Sequence, residues 1–393
     1  LKVIHCFLNG PYLGGAERSF ILQAADVRDR YGYDVRFFVP FLERPAEDKT
    51  LMSFLETNGF RAMKIHHFRY NSSLFSLSRS EVFLFFLKLP LALFGFFKTA
   101  SAIHKIEAQE SDTWWVGGNK VGFILYFLAL TTSFKGRFLW HFRDYPFAGG
   151  FYGHAWKILK VFKGLDLSLV GNSYDVKGSL ERLINSKKVE KYCLYNPVGN
   201  LNFSMRPTDN GFSIGTASMF APWKGLHSLI LFAGLFEQEL KELGIREFVI
   251  YGDEIYKTNG AHIGYRKSLE RLQRVFLNNS TFIRFAGLQK PEVIFEELDV
   301  FIHSSLKPEP FGRVLIESYN SGTVLISSGL GGAGELVDDG QSGHIFIPHD
   351  YVGLLEKVAL AVGKNRDYYR EQGKLKALEV QDKYDLQLEN LFG

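Results

Sequence analysis

The sequence predicts the α/β class, with two doubly wound parallel-sheet domains of Rossmann-like type in one chain. Three observations lead there. Short β-rich apolar runs alternate with helical runs, and they do so in two separate series. A segment containing Pro197, Gly199, Pro207 and a polar run, Asn196–Gly211, parts the two series. A length of 393 residues suits two hydrophobic cores better than one.

The first series opens with a strand at Val3–Leu8, a glycine loop at Asn9–Gly15, a helix at Ala16–Arg30 and a strand at Asp34–Val39. That β-α-β order implies parallel strands joined by a right-handed crossover. Trp114–Gly117 reads as a further strand, Val121–Leu130 as a buried helix and Arg137–His141 as a strand. Leu167–Gly171 then forms a strand before a helix at Tyr174–Leu183. The second series has strands at Phe212–Ala217, Glu247–Tyr251, Thr281–Phe285, Val300–His303 and Thr323–Ser327. Its helices fall at Gly225–Leu240, Pro291–Leu298 and Gly312–Asn320. The expected domains are residues 1–197 and 198–377, with a last segment, 378–393, able to pack back on the first domain.

Hydrophobic residues make up 46% of the chain and charged residues 22%, the balance of a globular protein with large cores. The net charge of +4 hides an asymmetry. Residues 1–197 hold 26 Lys and Arg against 17 Asp and Glu, a balance of +9, so residues 198–393 carry −5. A basic first half suggests an anionic partner for that half; scattered surface charge is the plainer explanation. Cys6 and Cys193 lie far apart and read as reduced thiols. The chain opens directly on a strand, so no leader peptide is expected. A cytoplasmic setting follows as the expectation.

The most informative stretch is His303 to Glu317, H-S-S-L-K-P-E-P-F-G-R-V-L-I-E. A β-rich run leads in and an apolar helical run leads out. Glu309 lies in the loop and Glu317 on the helix that the loop opens, two turns on. Between them, the first N–H groups of the helix can hold an anion. Two acceptors for hydroxyls on either side of an anion site match the demands of a sugar nucleotide.

Glu309-Pro310-Phe311-Gly312 with Glu317, Gly322 and Gly331-Gly332-Ala333-Gly334-Glu335-Leu336-Val337 resembles the donor site of family-four retaining glycosyltransferases, glycosyltransferases group 1. Gly14-Gly15-Ala16-Glu17-Arg18 resembles that family's first glycine loop, and His141-Phe142-Arg143-Asp144 its mid-domain histidine motif. Asn172-Ser173, Tyr195-Asn196-Pro197, Trp223-Lys224-Gly225 and Tyr251-Gly252-Asp253 follow in the family's order. The resemblance covers most of the chain. It implies the GT-B fold, in which two Rossmann-like domains face an interdomain cleft, and a transferase that uses a nucleotide-diphosphate sugar.

The resemblance also implies roles. Glu309 would accept hydrogen bonds from donor-sugar hydroxyls and stabilise positive charge at the anomeric carbon. Glu317 would take both ribose hydroxyls. Gly312 would let backbone approach the diphosphate, with Phe311, Arg313 and Val314 around it. Lys224 would neutralise the leaving diphosphate. An ammonium at a helix start opposes the helix dipole, so it needs an anionic partner. His141 would contact the donor sugar; a histidine at a strand end is otherwise a structural residue. Gly14 and Gly15 would face a phosphate. Gly252 and Asp253 would lie near the base, although Asp also forms turns unaided. Arg143 and Asp144 would orient His141 or bind acceptor. One departure stands out: where the family carries an arginine five or six positions before the lysine, this chain has Ser218 and Met219.

No D-x-D pair and no P-loop occur, so neither a metal clamp nor another cofactor is expected, and nucleic acid is not an expected partner. Val82–Phe97 is apolar at every position but Lys88, with six phenylalanines. Its 16 residues are too few to span a bilayer and Pro90 interrupts it. It reads either as a core helix or as an interfacial element that would place the protein on the cytoplasmic face of an anionic membrane. The expected reaction is metal-independent transfer of a hexose from a UDP- or GDP-sugar to a lipid-linked or lipopolysaccharide-type glycan. A sugar-nucleotide 2-epimerase and a non-catalytic sugar-nucleotide-binding protein stay open as alternatives.

Overall fold

The structure, a computed structural model, describes residues 2–10, 12–40, 45–65, 101, 111–131, 136–147, 156, 166–199, 211–254, 264–277 and 280–393. The apolar run Val82–Phe97 lies outside these residues. The chain divides into two compact units, Leu1–Pro197 with Tyr384–Gly393, and Val198–Lys383.

Unit one is built on a seven-stranded parallel sheet. Its strands in chain order are β1 (Val3–Leu8), β2 (Asp34–Pro40), β3 (Ala62–Ile65), β4 (Thr113–Gly117), β5 (Arg137–Phe142), β6 (Asp166–Gly171) and β7 (Glu190–Cys193). Their order across the sheet is β3-β2-β1-β4-β5-β6-β7. Its central strands are nearly continuous apolar runs because helices cover both faces of a parallel sheet. Trp114, Trp115, Phe138 and Trp140 are all buried. The helix Asn119–Thr131 comes so close to β5 that a side chain at Gly122 would overlap the Trp140 indole, 2.0 Å away. The Trp140 Nε1–H donates to Gly118 O at 2.9 Å, so this large ring is buried with its polar atom satisfied.

Unit two carries a six-stranded parallel sheet, β8 (Phe212–Ala217), β9 (Ile245–Tyr251), β10 (Ile283–Gly287), β11 (Val300–His303), β12 (Val324–Ser327) and β13 (Gly343–Ile345), in the order β10-β9-β8-β11-β12-β13. In each sheet the order reverses once, between β1 and β4 and between β8 and β11. In such sheets the usual ligand position lies beyond the carboxyl ends of the strands that flank the reversal.

Several elements differ from the sequence expectations. The run Gly225–Leu240 is two helices, Leu226–Leu235 and Glu237–Glu242, because Phe236 leaves helical geometry at φ −122° and ψ 26°. Helices at Pro45–Thr57, Tyr265–Phe276 and Tyr351–Val362, and the short strands β3, β7 and β13, were not foreseen. Tyr265–Phe276 is heavily charged, and β3, β7 and β13 have three or four residues each, too few for a period-two pattern.

The last helix, Arg366–Phe392, is 27 residues long, and its final residues belong to unit one. There Tyr384 Oη donates to Asp26 Oδ2 at 2.5 Å, and Gln387 Oε1 accepts from Tyr195 N at 2.8 Å. Arg30 pairs with Asp385 at 2.6 Å, and the Phe392 ring packs 4.8 Å from Trp115. Phe392 is 5% exposed. Phe392→Ala should therefore destabilise unit one by about 3 kcal/mol, the low end for a buried phenylalanine. Chemical denaturation measures this, and an unchanged midpoint would show that the helix end adds nothing to the core.

Candidate active site

The candidate donor site lies at the reversal point of the second sheet, where loops follow β8 and β11. After β8 the chain makes a 3-10 turn, Pro222–Lys224, and Gly225 reverses it at φ 73°. A Cβ at Gly225 would lie 2.1 Å from Ser304 O, so only glycine lets this turn meet the β11 loop. Leu306 N donates to Trp223 O at 2.8 Å and Ser304 Oγ to Lys224 O at 2.9 Å, locking the two loops together. This docking delivers Lys224 Nζ to Glu309 Oε2 at 2.5 Å, with side chains only 12% and 15% exposed. The Trp223 ring, 4.3 Å from the ammonium, covers its other side. The anionic partner that an ammonium needs at a helix start is Glu309.

Glu309 has more than one partner. Ser305 Oγ donates to the same oxygen at 3.0 Å, and His303 Nε2 stands 3.7 Å from it. Burial alone would raise the carboxyl, but His303 and the Lys224 ammonium outweigh it and hold Glu309 well below the usual carboxylate range. Burial also lowers His303, with Lys224 acting in the same direction against Glu309, so the imidazole is neutral at pH 7. His303 and Ser305 stand inside the quoted motif but were given no role from sequence. The available signal was a histidine closing a buried β-strand and a serine two positions beyond it.

The loop continues into the helix Arg313–Asn320, with Gly312 at φ 92° before it. Arg313 Nε donates to Glu317 Oε1 at 2.8 Å, so the ribose candidate and the phosphate candidate face each other as an i,i+4 pair. Val314 is half-buried. The Phe311 ring is buried at 2% exposure, which leaves mainly its backbone for a ligand. Glu309 N donates to Leu330 O at 3.0 Å, tying the motif to the Gly331–Leu336 glycine segment.

Gly252 and Asp253 close the neighbouring turn. At φ 126°, a Cβ on Gly252 would lie 1.8 Å from Ser218 O. Asp253 O accepts from Phe220 N at 3.0 Å, and Asp253 Oδ1 meets Arg266 Nη1 at 3.3 Å. Met219, at the departure from the family pattern, is half-buried on this turn.

The other candidates belong to unit one. Gly14 N donates to Glu17 Oε2 at 3.2 Å, so a carboxylate of the chain itself sits against the glycine loop that was expected to face a phosphate. Burial raises the Glu17 carboxyl. Gly15 is the exposed first residue of the helix Gly15–Tyr31. His141 is wholly enclosed: it stacks on Trp115 at 6.1 Å and 3°, and meets Phe20 edge-on at 6.2 Å. Neither ring nitrogen has a hydrogen-bond partner among the described residues. Burial, with Arg143 adding to it, lowers its pKa well below the histidine value. Arg143 is buried, with Nη1 donating to Asn196 Oδ1 at 3.0 Å, Nη2 to Gln23, and its guanidinium over Phe20. Asp144 is exposed. Among the described residues no group of three or more His, Cys, Asp or Glu side chains is placed to hold a metal.

Residues 203–376 match the family model of glycosyl transferases group 1. The chain is 33% identical over 87 residues to spore coat protein SA of Bacillus subtilis, covering 22% of each chain. It is 29% identical over 124 residues to an uncharacterized glycosyltransferase of Methanocaldococcus jannaschii, covering 31% of this chain and 28% of that one. The chain thus spans under a third of these relatives' length in its matched part. Among solved structures, HepE of Anabaena in complex with UDP and glucose superposes with a TM-score of 0.72 at 18% identity, covering 98% of this chain and 99% of that one. This likeness shows the GT-B fold.

The Lys224–Glu309 pair makes a stability prediction. A carboxyl held below its ordinary value of 4.5 contributes fully above that value and loses its contribution as pH falls through the lower folded one. Lys224→Ala leaves a nearly buried carboxylate short of its cation and should cost about 3 kcal/mol at pH 7. It should also move the acid-side loss of stability to higher pH, because burial then acts with less opposition. Melting curves between pH 7 and pH 2 read both effects; curves matching wild type would mean the pair carries no net energy.

Proposed function

We propose that this protein is a retaining glycosyltransferase that moves a hexose from a UDP- or GDP-sugar to a glycan acceptor, without a metal. Unit two would bind the nucleotide sugar and unit one the acceptor. The observation that carries this reading is the enclosed Lys224–Glu309 pair beside the Gly312–Arg313 helix start, at the reversal point of a parallel sheet. A cation, backbone N–H groups and a carboxylate within one loop cluster suit a diphosphate bonded to a polyhydroxy ring. HepE was solved with UDP and glucose, which supports a donor of this class.

In the proposed reaction the bond from the anomeric carbon to the diphosphate oxygen breaks. A bond to the acceptor hydroxyl oxygen forms on the same face, and the hydroxyl proton passes to the departing phosphate oxygen. Lys224 offsets the charge that gathers on that oxygen. Glu309, kept ionised by its surroundings, accepts from the sugar hydroxyls and stabilises positive charge at the anomeric carbon. Glu317 accepts from the ribose, while Arg313 and Gly312 face the phosphates and Asp253 the base. No protein nucleophile is required. Metal independence rests on the absence of a D-x-D pair in the sequence. On the acceptor side we assign Arg143 and Asp144, and to donor contact Gly14, Gly15 and His141; His141 must be uncovered before it can reach a sugar.

A panel of UDP-, GDP-, ADP- and dTDP-sugars with NMR of the product anomer tests the reading. Retained configuration in a transferred sugar supports it, whereas an epimerised nucleotide sugar or binding without turnover replaces it. Glu309→Gln should abolish most transfer while nucleoside-diphosphate affinity holds. Glu317→Ala should raise the donor KM by roughly 1.5–3 kcal/mol, the range for a hydrogen bond to a charged group. Turnover should persist in EDTA. Turnover unchanged in both variants would remove the site assignment.

We further propose a lipid-linked or lipopolysaccharide-type acceptor at an anionic membrane face, on the strength of the apolar run Val82–Phe97 and the +9 balance of residues 1–197. Wild-type protein should sediment with anionic vesicles and release with salt, since each basic side chain near such a surface adds ~1 kcal/mol. Replacing Phe85, Phe86, Phe94 and Phe96 by Ser should abolish that binding in a folded protein. A melted variant, with wild type ignoring vesicles, would instead make the run a core helix.

A further inference from the structure

We infer that His303 and Ser305 are positioning residues that hold the Glu309 carboxylate when Lys224 turns to the diphosphate; this rests on the reading of Glu309 and Lys224 given above. The geometry is a single directed chain of hydrogen bonds through the floor of the site. Gly329 N donates to Ser327 Oγ at 3.1 Å, and Ser327 Oγ lies 3.1 Å from His303 Nδ1. His303 Nε2 lies 3.2 Å from Ser305 Oγ, and Ser305 Oγ donates to Glu309 Oε2 at 3.0 Å. His303, Ser305 and Ser327 are 5%, 1% and 0% exposed.

Counting donors settles the direction. An ionised carboxylate only accepts, so the one hydroxyl proton of Ser305 points at Glu309. Ser305 Oγ must then accept from His303, which places the histidine proton on Nε2 and leaves Nδ1 as acceptor. Ser327, already accepting from Gly329, supplies its own proton to Nδ1. Every group in the relay is satisfied by one arrangement, and it ends on the oxygen that Lys224 also holds. Two further contacts keep the relay rigid: Ser328 Oγ donates to Ser305 O at 2.8 Å and Ser328 N to His303 O at 2.9 Å.

The consequence concerns the catalytic cycle. Lys224 cannot fully serve both the leaving phosphate and Glu309. A carboxylate that lost a close charged donor in so enclosed a place, with nothing else fixing it, would turn or take up a proton. With Ser305 fixed by His303, Glu309 keeps its orientation and its charge while the ammonium is shared or withdrawn.

The test measures steady-state kinetics with whichever UDP- or GDP-hexose wild type turns over, alongside UDP calorimetry and melting. Ser305→Ala should lower kcat roughly tenfold or more, as expected for one hydrogen bond to a charged group. Donor KM and UDP affinity should stay within about twofold, and Ser305→Thr, which keeps the hydroxyl, should recover most of kcat. In the Glu309→Gln background Ser305→Ala should add nothing, because the relay acts only through that carboxylate. If Glu309→Gln is inactive and Ser305→Ala turns over at the wild-type rate, the relay is overturned and the active-site reading stands. If Glu309→Gln is itself fully active, the active-site reading falls and takes the relay with it. Independent of turnover, the ¹⁵N shifts of His303 at pH 7 should report a neutral ring protonated at Nε2. A proton on Nδ1, or an imidazolium, would contradict the relay.

Discussion

The candidate site of this protein depends on one interaction, the enclosed contact between Lys224 and Glu309. Each charge would be costly alone at that depth. Together, with Trp223 over the ammonium and Ser305 on the carboxylate, they are tolerable. A resident pair of this kind keeps the site from collapsing around unbalanced charge before substrate arrives. On the proposed reading, substrate supplies an anion to replace Glu309 for Lys224 and hydroxyl donors to replace Lys224 for Glu309.

The pair exists because of backbone geometry rather than side-chain reach alone. Parallel order reverses between β8 and β11, so their loops open side by side. Gly225 then permits a turn whose backbone touches Ser304 O, and Gly252 permits the neighbouring turn to touch Ser218 O. Glycine at these positive-φ positions contributes closeness that no other residue allows. The motif is tied from behind as well, through Glu309 N to Leu330 O.

Central strands were legible because burial on both faces makes them apolar runs, and Phe212–Ala217 and Val300–His303 fall where the sequence places them. Edge elements were not, since Gly343–Ile345 and Glu190–Cys193 carry too few residues to show a pattern. Glu309 and Lys224 were legible as candidates, from residue type within an ordered set of motifs. Their mutual pairing, and that of Arg313 with Glu317, was not, because it depends on loop docking across 85 positions in one case and on rotamers in the other. His141 shows the opposite limit: the motif marks the residue, but only packing reveals a ring sealed between Trp115 and Phe20.

The most direct measurement of the central claim is a crystal structure with a nucleoside diphosphate bound. The account predicts that Lys224 Nζ lies within hydrogen-bond distance of a terminal phosphate oxygen, with its distance to Glu309 Oε2 lengthened beyond the present 2.5 Å and the Ser305 contact retained. A diphosphate held elsewhere, with the Lys224–Glu309 pair untouched by the ligand, would contradict it.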